Sequence, residues 1–240
     1  MGAFEIIPVI DLMGGVVVHA RAGQRERYLP LAGSRLCDSS APEAVVAGLV
    51  GLHPFRKLYI ADLDAIAKRG GHGRAIAGLA TRFPRLEPWV DAGVADAAGM
   101  AAVERTGARA VLGSESQADA RLLAGAGRAI LSLDMRGAER LDPAALFERP
   151  ELWPEDVIVM TLARVGSGQG PDLEALADVR QRAPGRRIWA AGGVRGIDDL
   201  LELRRIGCAG VLVATALHDG RLGAEELVMM AGRHERMRQA

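Results

Sequence analysis

A chain of 240 residues is long enough for one sizeable core and matches a single α/β barrel of about 250 residues; with no Ser/Pro/Gly-rich linker or charge run to divide it, one domain spanning 1–240 is expected. Its 30 Lys and Arg offset 30 Asp and Glu, and a formal net charge of zero argues against a broad nucleic-acid surface. Two cysteines (Cys37 and Cys208) without CxxC spacing, an acidic residue inside the first apolar stretch, and no apolar run of membrane-spanning length argue against a disulfide scaffold, a signal peptide and a membrane protein, so a reduced cytoplasmic protein is expected.

In chain order, short β-type apolar runs alternate with longer Ala/Leu/Arg stretches of helical period. Ile6–Asp11 reads as the first strand, followed by a helix over Pro42–Leu52 that Ser39 or Ser40 can cap. Lys57–Asp62 is the second strand, and a helix over His72–Arg82 follows Gly70 and Gly71. Strand Pro88–Gly93 leads to a helix over Asp96–Arg105 that stops near Gly107, and strand Arg109–Ser114 to one over Gln117–Ala124 that stops near Gly125. Strands Arg128–Asp134 and Asp156–Thr161 come next, then a helix over Pro171–Arg182 with proline at its first position. Strand Arg187–Gly193, a helix over Ile197–Arg205 ending at Gly207, strand Ala209–Thr215 and a helix over Glu225–Arg238 complete the chain. Near-continuous apolar runs suit strands buried on both faces, and strand–helix repetition means a doubly wound sheet or a barrel.

An internal echo favours the barrel. WVDAGV from Trp89 returns as WAAGGV from Trp189, and the offset of 100 holds at Gly93/Gly193, Val94/Val194, Gly107/Gly207, Val111/Val211 and Leu112/Leu212. Asp11-Leu-Met-Gly14 likewise echoes Asp134-Met-Arg-Gly137. Two similar halves of four β/α units close naturally into an eight-stranded (β/α)8 TIM barrel.

In such a barrel the chemistry sits at the C-terminal ends of the strands. The polar residues ending the apolar runs there are Asp11, Asp62, Asp91, Ser114, Asp134 and Thr161. Asp11 and Asp134 end corresponding strands of the two halves and would face each other across the mouth, where two carboxylates of different pKa can divide acid and base roles; the plainer alternative is that each caps a loop. Gly192 and Gly193 before one helix, with Ala214 and Thr215 ending the next strand, suit close approach of a phosphate, or else tight helix–strand packing. Gly113 and Ser114 hold the equivalent places in the first half, where Asp91 and Glu115 would oppose a second phosphate. Gly166 to Gly170 (GSGQG) reads as a flexible loop over the substrate rather than a dinucleotide loop, since no ribose-holding carboxylate ends the following strand. His72 in GGHG reads as a solvent-exposed loop residue, His19 and His218 belong to no metal-ligand series, and Met229 and Met230 read as helix packing.

These residues resemble the histidine-biosynthesis barrel family, which includes an aldose–ketose ribotide isomerase and the cyclase of imidazole-glycerol-phosphate synthase. The likeness spans nearly the whole chain and is carried by IPVIDLMGGVVVHARAG, YIADLDAI, SLDMRG, AAGGVRGIDDL and GVLVATALHDG. It implies a ribulose-phosphate-binding type of barrel and an Amadori rearrangement without a cofactor or metal. Asp11 would be base and Asp134 acid, or the reverse, with Thr161 assisting. It implies a phosphorylated small-molecule substrate held at Gly192, Gly193, Ala214, Thr215, Gly166, Gly113 and Ser114, and a monomer or small homo-oligomer. The family's Gly-Gly-Gly-Ile-Arg after the third strand is Asp91-Ala-Gly-Val-Ala95 here, and its Arg-Asp-Gly after the sixth is Arg164-Val165-Gly166, so the two-phosphate substrate is in question. The RVG, GGVR and ATALH stretches are similar to a divergent branch from methanogens and methylotrophs that make tetrahydromethanopterin or methanofuran. That leaves a lyase or condensing enzyme of one-carbon cofactor synthesis, and a non-catalytic phosphometabolite-binding protein, as alternatives.

Overall fold

The structure is a computed structural model that describes residues 4–21, 23–125 and 127–238, with side chains as far as residue 231. Eight parallel strands form the barrel: β1 (Glu5–Met13), β2 (Lys57–Asp62), β3 (Glu87–Asp91), β4 (Arg109–Gly113), β5 (Ile130–Arg136), β6 (Asp156–Thr161), β7 (Arg187–Ala191) and β8 (Gly210–Val213). Each pairs with the next, and β8 closes the ring on β1 from Glu5↔Gly210 to Pro8↔Val213. Closure needs a glycine at 210, because a Cβ there would collide with the Glu5 carbonyl and stand 2.6 Å from the Trp189 ring. The expected (β/α)8 barrel is therefore the observed one.

Outside the ring lie α1 (Pro42–Leu52), α2 (Gly73–Arg82), α3 (Ala97–Glu104), α4 (Arg121–Ala124), α5 (Leu173–Arg182), α6 (Ile197–Arg205) and α7 (Ala224–Arg238). Two of these helices, and strand β1, depart most from their sequence reading. α4 is one turn long because Gln117, expected inside it, is buried with its amide donating to the carbonyls of Val94 and Gly113. α5 starts after Asp172 rather than at Pro171, because the Asp172 carboxylate caps it by accepting from the Ala175 N–H. β1 runs two residues past Asp11 and turns at Gly14-Gly15, both at positive φ (59° and 83°), into a short antiparallel strand, Val16–His19. Between β5 and β6 the chain makes two 3-10 turns, Leu146–Glu148 and Pro150–Leu152.

Strand alternation divides the apolar residues into two cores. Ile7, Tyr59, Trp89, Val111, Ile158 and Trp189 fill the barrel interior. Their neighbours Ile10, Leu58, Ile60, Leu112 and Val157 face outward onto Val46, Leu49, Ile76 and Leu176 of the helices. Each fully buried side chain of this size stabilises the fold by roughly 1.5–3 kcal/mol.

The echoed tryptophans, Trp89 and Trp189, meet edge to face inside the ring, 5.0 Å between centroids, with the Lys57 ammonium 5.9 and 5.6 Å from their rings. Around them lies a set of paired charges from the strand beginnings. Lys57 pairs with Glu5 at 2.5 Å; Arg109 and Arg187 donate to the fully buried Asp156 at 2.8 and 2.7 Å; and Trp189 Nε1 donates to the other Asp156 oxygen at 2.9 Å. This end of the barrel is sealed by aromatic rings and satisfied ions. Among the described residues, no helix is long and apolar enough to cross a membrane.

Candidate active site

At the other end of the strands the inward-pointing residues turn polar. The alternation that sends Ile7 on β1, Trp89 on β3 and Ile130 on β5 into the barrel sends Asp11, Asp91 and Asp134 into its mouth, where all three line one cavity of about 310 Å³. β1 and β5 lie half-way round the ring from each other, so Asp11 and Asp134 face one another.

Their environments differ. Asp134 is 5% exposed and its Oδ1 accepts from Ser132 Oγ at 2.6 Å. Burial, then the Asp91 charge, pushes its pKa up to about 8 despite that bond. Asp11 makes no hydrogen bond through its carboxylate among the described residues; burial raises it to about 7, with the Arg25 guanidinium pulling the other way and Asp91 adding to the rise. Asp91 is raised by burial to about 6, restrained by the bond its Oδ1 accepts from the Gly93 N–H at 3.0 Å. The Tyr59 hydroxyl donates to Asp91 Oδ2 at 3.4 Å, and Arg25, from the loop before α1, pairs with Glu115 at 3.1 Å.

The wall from β7 and β8 is built differently. Gly192 and Gly193 have φ of 104° and 85°. A Cβ on Gly192 would lie 2.9 Å from the Thr161 carbonyl, and one on Gly193 would collide with the Gly170 carbonyl, so only glycine fits here. The Gly170 N–H donates to the Gly193 carbonyl at 2.9 Å, seating the GSGQG loop on the mouth with Gly166 and Gly168 in the cavity wall. Among the described residues the N–H groups of Gly193 and Val194 have no protein acceptor. Ala214, Thr215, His19, His218 and Arg221 continue this wall. Thr215 Oγ1 lies 3.4 Å from His19 Nε2, and Ser34 Oγ 2.9 Å from His218 Nδ1. Burial first, and His19 next, lower the His218 pKa to about 4, so its ring is neutral at neutral pH.

Of the residues singled out from sequence, Asp11, Asp134, Gly166, Gly192, Gly193, Ala214 and Thr215 are brought together in this cavity. Thr161, Gly113 and Ser114 are not in its wall. Thr161 follows the inward Met160, so it points out of the barrel and donates to Asp172 Oδ2 at 3.3 Å. Ser114 follows the inward Gly113 and is fully buried, its hydroxyl donating to the Leu141 carbonyl at 2.8 Å and accepting from the Asp134 N–H at 2.9 Å. Gly113 leaves room for the carboxylates: a Cβ there would lie 3.1 Å from Asp134 Oδ2 and 3.7 Å from Asp91 Oδ2.

Asp62 and His72 form a clamp beside the mouth. Asp62 accepts from the Ala65 and His72 N–H groups and pairs with His72 Nδ1 at 2.8 Å, while His72 Nε2 accepts from the Gly15 N–H at 2.9 Å. His72 is thus a mostly buried tether for the β1 turn rather than an exposed loop residue. The contributions of His19, His218, Arg25 and Arg221 were not apparent from sequence. Histidines near strand ends were visible, but nothing in the spacing of the two arginines marks them. Among the described residues no three His, Cys, Asp or Glu side chains converge as a metal-ligand set.

The family model described as "Histidine biosynthesis protein" matches residues 5–223. An uncharacterized protein of Methanocaldococcus jannaschii is 30% identical over 95% of this chain and 99% of its own. The 1-(5-phosphoribosyl)-5-((5-phosphoribosylamino)methylideneamino)imidazole-4-carboxamide isomerase of Xylella fastidiosa is 28% identical over 94% of this chain and 89% of its own. The isomerase of the same name from Anaeromyxobacter is 30% identical, over 94% and 98%. A match across nearly the whole barrel, mouth residues included, means that the chain belongs to the histidine biosynthesis protein family.

Proposed function

We propose that the protein is an acid/base isomerase of the aldose–ketose type, acting on a phosphorylated, phosphoribosylamine-like small molecule. The observation that carries this reading is the joining, in one cavity, of two opposed carboxylates, Asp134 buried and Asp11 half-buried, with a wall where the Gly193 and Val194 N–H groups have no protein acceptor among the described residues. The isomerases among its relatives support the same reaction class.

Burial raises both carboxylates towards neutrality, Asp11 to about 7 and Asp134 to about 8, so that at neutral pH the pair can hold a proton; the Arg25 guanidinium beside Asp11 favours its ionised form. Asp134 would donate its proton to the sugar ring oxygen as the C1–O bond breaks, giving an open-chain iminium. Asp11 would then remove the C2 proton, and the electron pair left behind neutralises the iminium to an enaminol. Asp11 then returns its proton to C1 while the C2 hydroxyl proton passes to the Asp134 carboxylate, which gives the aminoketose and restores the acid/base pair. The reading places the phosphate against Gly192, Gly193 and Thr215, with His19 as a hydroxyl-linked neighbour. Thr161 is not called on, since its hydroxyl is turned to Asp172.

Assay of the purified protein with the ribotide of its isomerase relatives tests the narrow form; no turnover where such an isomerase turns over would exclude it. Acid/base chemistry on another phosphorylated metabolite would be abandoned if Asp11→Asn and Asp134→Asn both left the cellular phenotype unchanged. The full-length match to the methanogen protein favours a second reading, one-carbon cofactor synthesis by lyase or condensing chemistry on the same residues. Normal tetrahydromethanopterin and methanofuran levels in a deletion strain would count against it.

A further inference from the structure

The two halves of the mouth echo each other in sequence, but the first carries acidic residues where the second carries neutral ones. At the offset of 100 residues, Asp91 stands where the second half has Ala191, Asp96 where it has Gly196, and Glu115 where it has Thr215. Gly93 and Gly193 are equivalent and both have positive φ, 63° and 85°. The difference lies in what their N–H groups do. That of Gly193 has no protein acceptor among the described residues, whereas that of Gly93 donates to Asp91 Oδ1 at 3.0 Å. The first turn of α3 is likewise occupied from within, the Gly99 N–H donating to Asp96 Oδ1 at 2.8 Å. Two donors that a phosphate would use in the first half, the Gly93 and Gly99 N–H groups, are taken by the chain's own carboxylates. The cavity wall there presents Asp91 and Glu115, and its nearby cation, Arg25, is already paired with Glu115.

From this geometry we infer that Asp91, with Glu115, determines specificity by rejecting a second phosphoryl group. The substrate carries one phosphate, at the Gly193 end, and at its other end a hydrogen-bond donor without negative charge, such as a hydroxyl. A phosphoryl group at the first-half end would meet two carboxylates in the cavity wall, where like-charge juxtaposition is unfavourable. It would also find the Gly93 N–H already used. A hydroxyl has the complementary chemistry, since Asp91 Oδ2 accepts only a long bond of 3.4 Å from Tyr59 and has capacity for a better donor. This inference rests on the phosphate end assigned under the proposed function.

The test compares ω-hydroxyalkyl phosphates with the α,ω-bisphosphates of the same chains, from butane to decane, by calorimetric titration at neutral pH. The wild-type protein should bind the best hydroxyalkyl phosphate at least about tenfold more tightly than the matching bisphosphate. Asp91→Asn should narrow that ratio, and Asp91→Ala with Glu115→Thr, which gives the first half the residues of the second, should narrow it further. Thermal unfolding verifies that each variant is folded, and Glu115→Gln alone replaces any that is not. A wild-type protein that binds the bisphosphate as tightly as the hydroxyalkyl phosphate, or folded variants that leave the ratio unchanged, would overturn the inference. If neither probe class nor inorganic phosphate binds the wild-type protein, the phosphate end itself is wrong, and the proposed function and this inference fall together.

Discussion

Replacing Asp134 by Asn should make the protein more stable at neutral pH, although it removes a residue placed at the centre of the chemistry. The native state holds the Asp134 proton up to a pKa of about 8, whereas an unfolded Asp releases it near 3.8. Between those values the unfolded chain binds fewer protons than the native one, so rising pH favours unfolding. The contribution of this proton to stability is therefore fully present below pH 3.8, falls away above it, and is lost by pH 8. At about 1.4 kcal/mol per pKa unit, the loss accumulated by pH 7 is on the order of 4 kcal/mol. Asparagine resembles the protonated acid, and its amide oxygen can still accept from Ser132, but its NH2 group meets the Glu115 N–H on the side of Oδ2, which offsets part of the gain. We expect Asp134→Asn to stabilise the protein by about 2–4 kcal/mol at pH 7 and by less than about 1 kcal/mol at pH 4, measured by urea unfolding at both pH values. A variant equally stable or less stable than wild type at pH 7, or one whose stability difference does not grow between pH 4 and pH 7, would refute the desolvated-acid account of Asp134.

Other substitutions separate the parts of the barrel. Asp156→Ala leaves Arg109, 13% exposed, without its buried partner and should lower the unfolding free energy by about 3–5 kcal/mol; a loss below about 1 kcal/mol would show that the ions at this end are already solvated. Gly193→Ala places a Cβ against the Gly170 carbonyl at φ 85° and should destabilise by about 2 kcal/mol or more, with weaker inorganic phosphate binding, while Gly185→Ala, with open space around it, should change neither by more than about 0.5 kcal/mol. Arg25→Gln removes the cation that holds down both Asp11 and Asp91, so in a carboxyl carbon NMR titration their midpoints should move above about 7 and about 6. Asp134, on which Arg25 is not a leading influence, should move less, and a uniform shift of all three would instead indicate a general loosening of the mouth.

Much of this was legible because the strands carry a strict period of two. The eight strand positions follow from their apolar runs, and the opposition of Asp11 and Asp134 follows from the half-barrel echo. The same period would also have sorted the strand-end polar residues. Asp11, Asp91 and Asp134 are in phase with Ile7, Trp89 and Ile130, which face inward, whereas Asp62, Ser114 and Thr161 are out of phase and become caps and braces. The family resemblance alone assigned Thr161 a role, and the half-barrel equivalence put Ser114 with the site; neither uses the phase of the strand. Other features had no local signature. Arg25 and Arg221 reach the mouth from loops whose path is fixed by tertiary contacts, and His72 becomes a tether only because the Gly14-Gly15 turn comes to it.

The two ends of the barrel show why the carboxylates at the mouth call for a chemical explanation. Both ends place several charged groups on strand residues in the same inward phase. At the floor every one of them has a partner: Asp156 is buried completely yet receives two arginines and an indole N–H, and Glu5 receives Lys57. That arrangement satisfies the requirement that buried charge be paired. At the mouth the same chain leaves Asp11 without a hydrogen-bond donor among the described residues and sets Asp91 and Asp134 either side of Gly113, with burial raising all three pKa values. Substituting neutral side chains would relieve that cost, and the floor shows that this sequence can pair its buried ions. Strain concentrated at one end of a fold that satisfies its charges at the other points to use by a ligand rather than to loose packing. The same comparison tells Asp91 from an incidental acid: its Oδ1 takes an N–H whose equivalent in the other half has no protein acceptor among the described residues, so Asp91 contributes to the chemical difference between the two ends of the cavity.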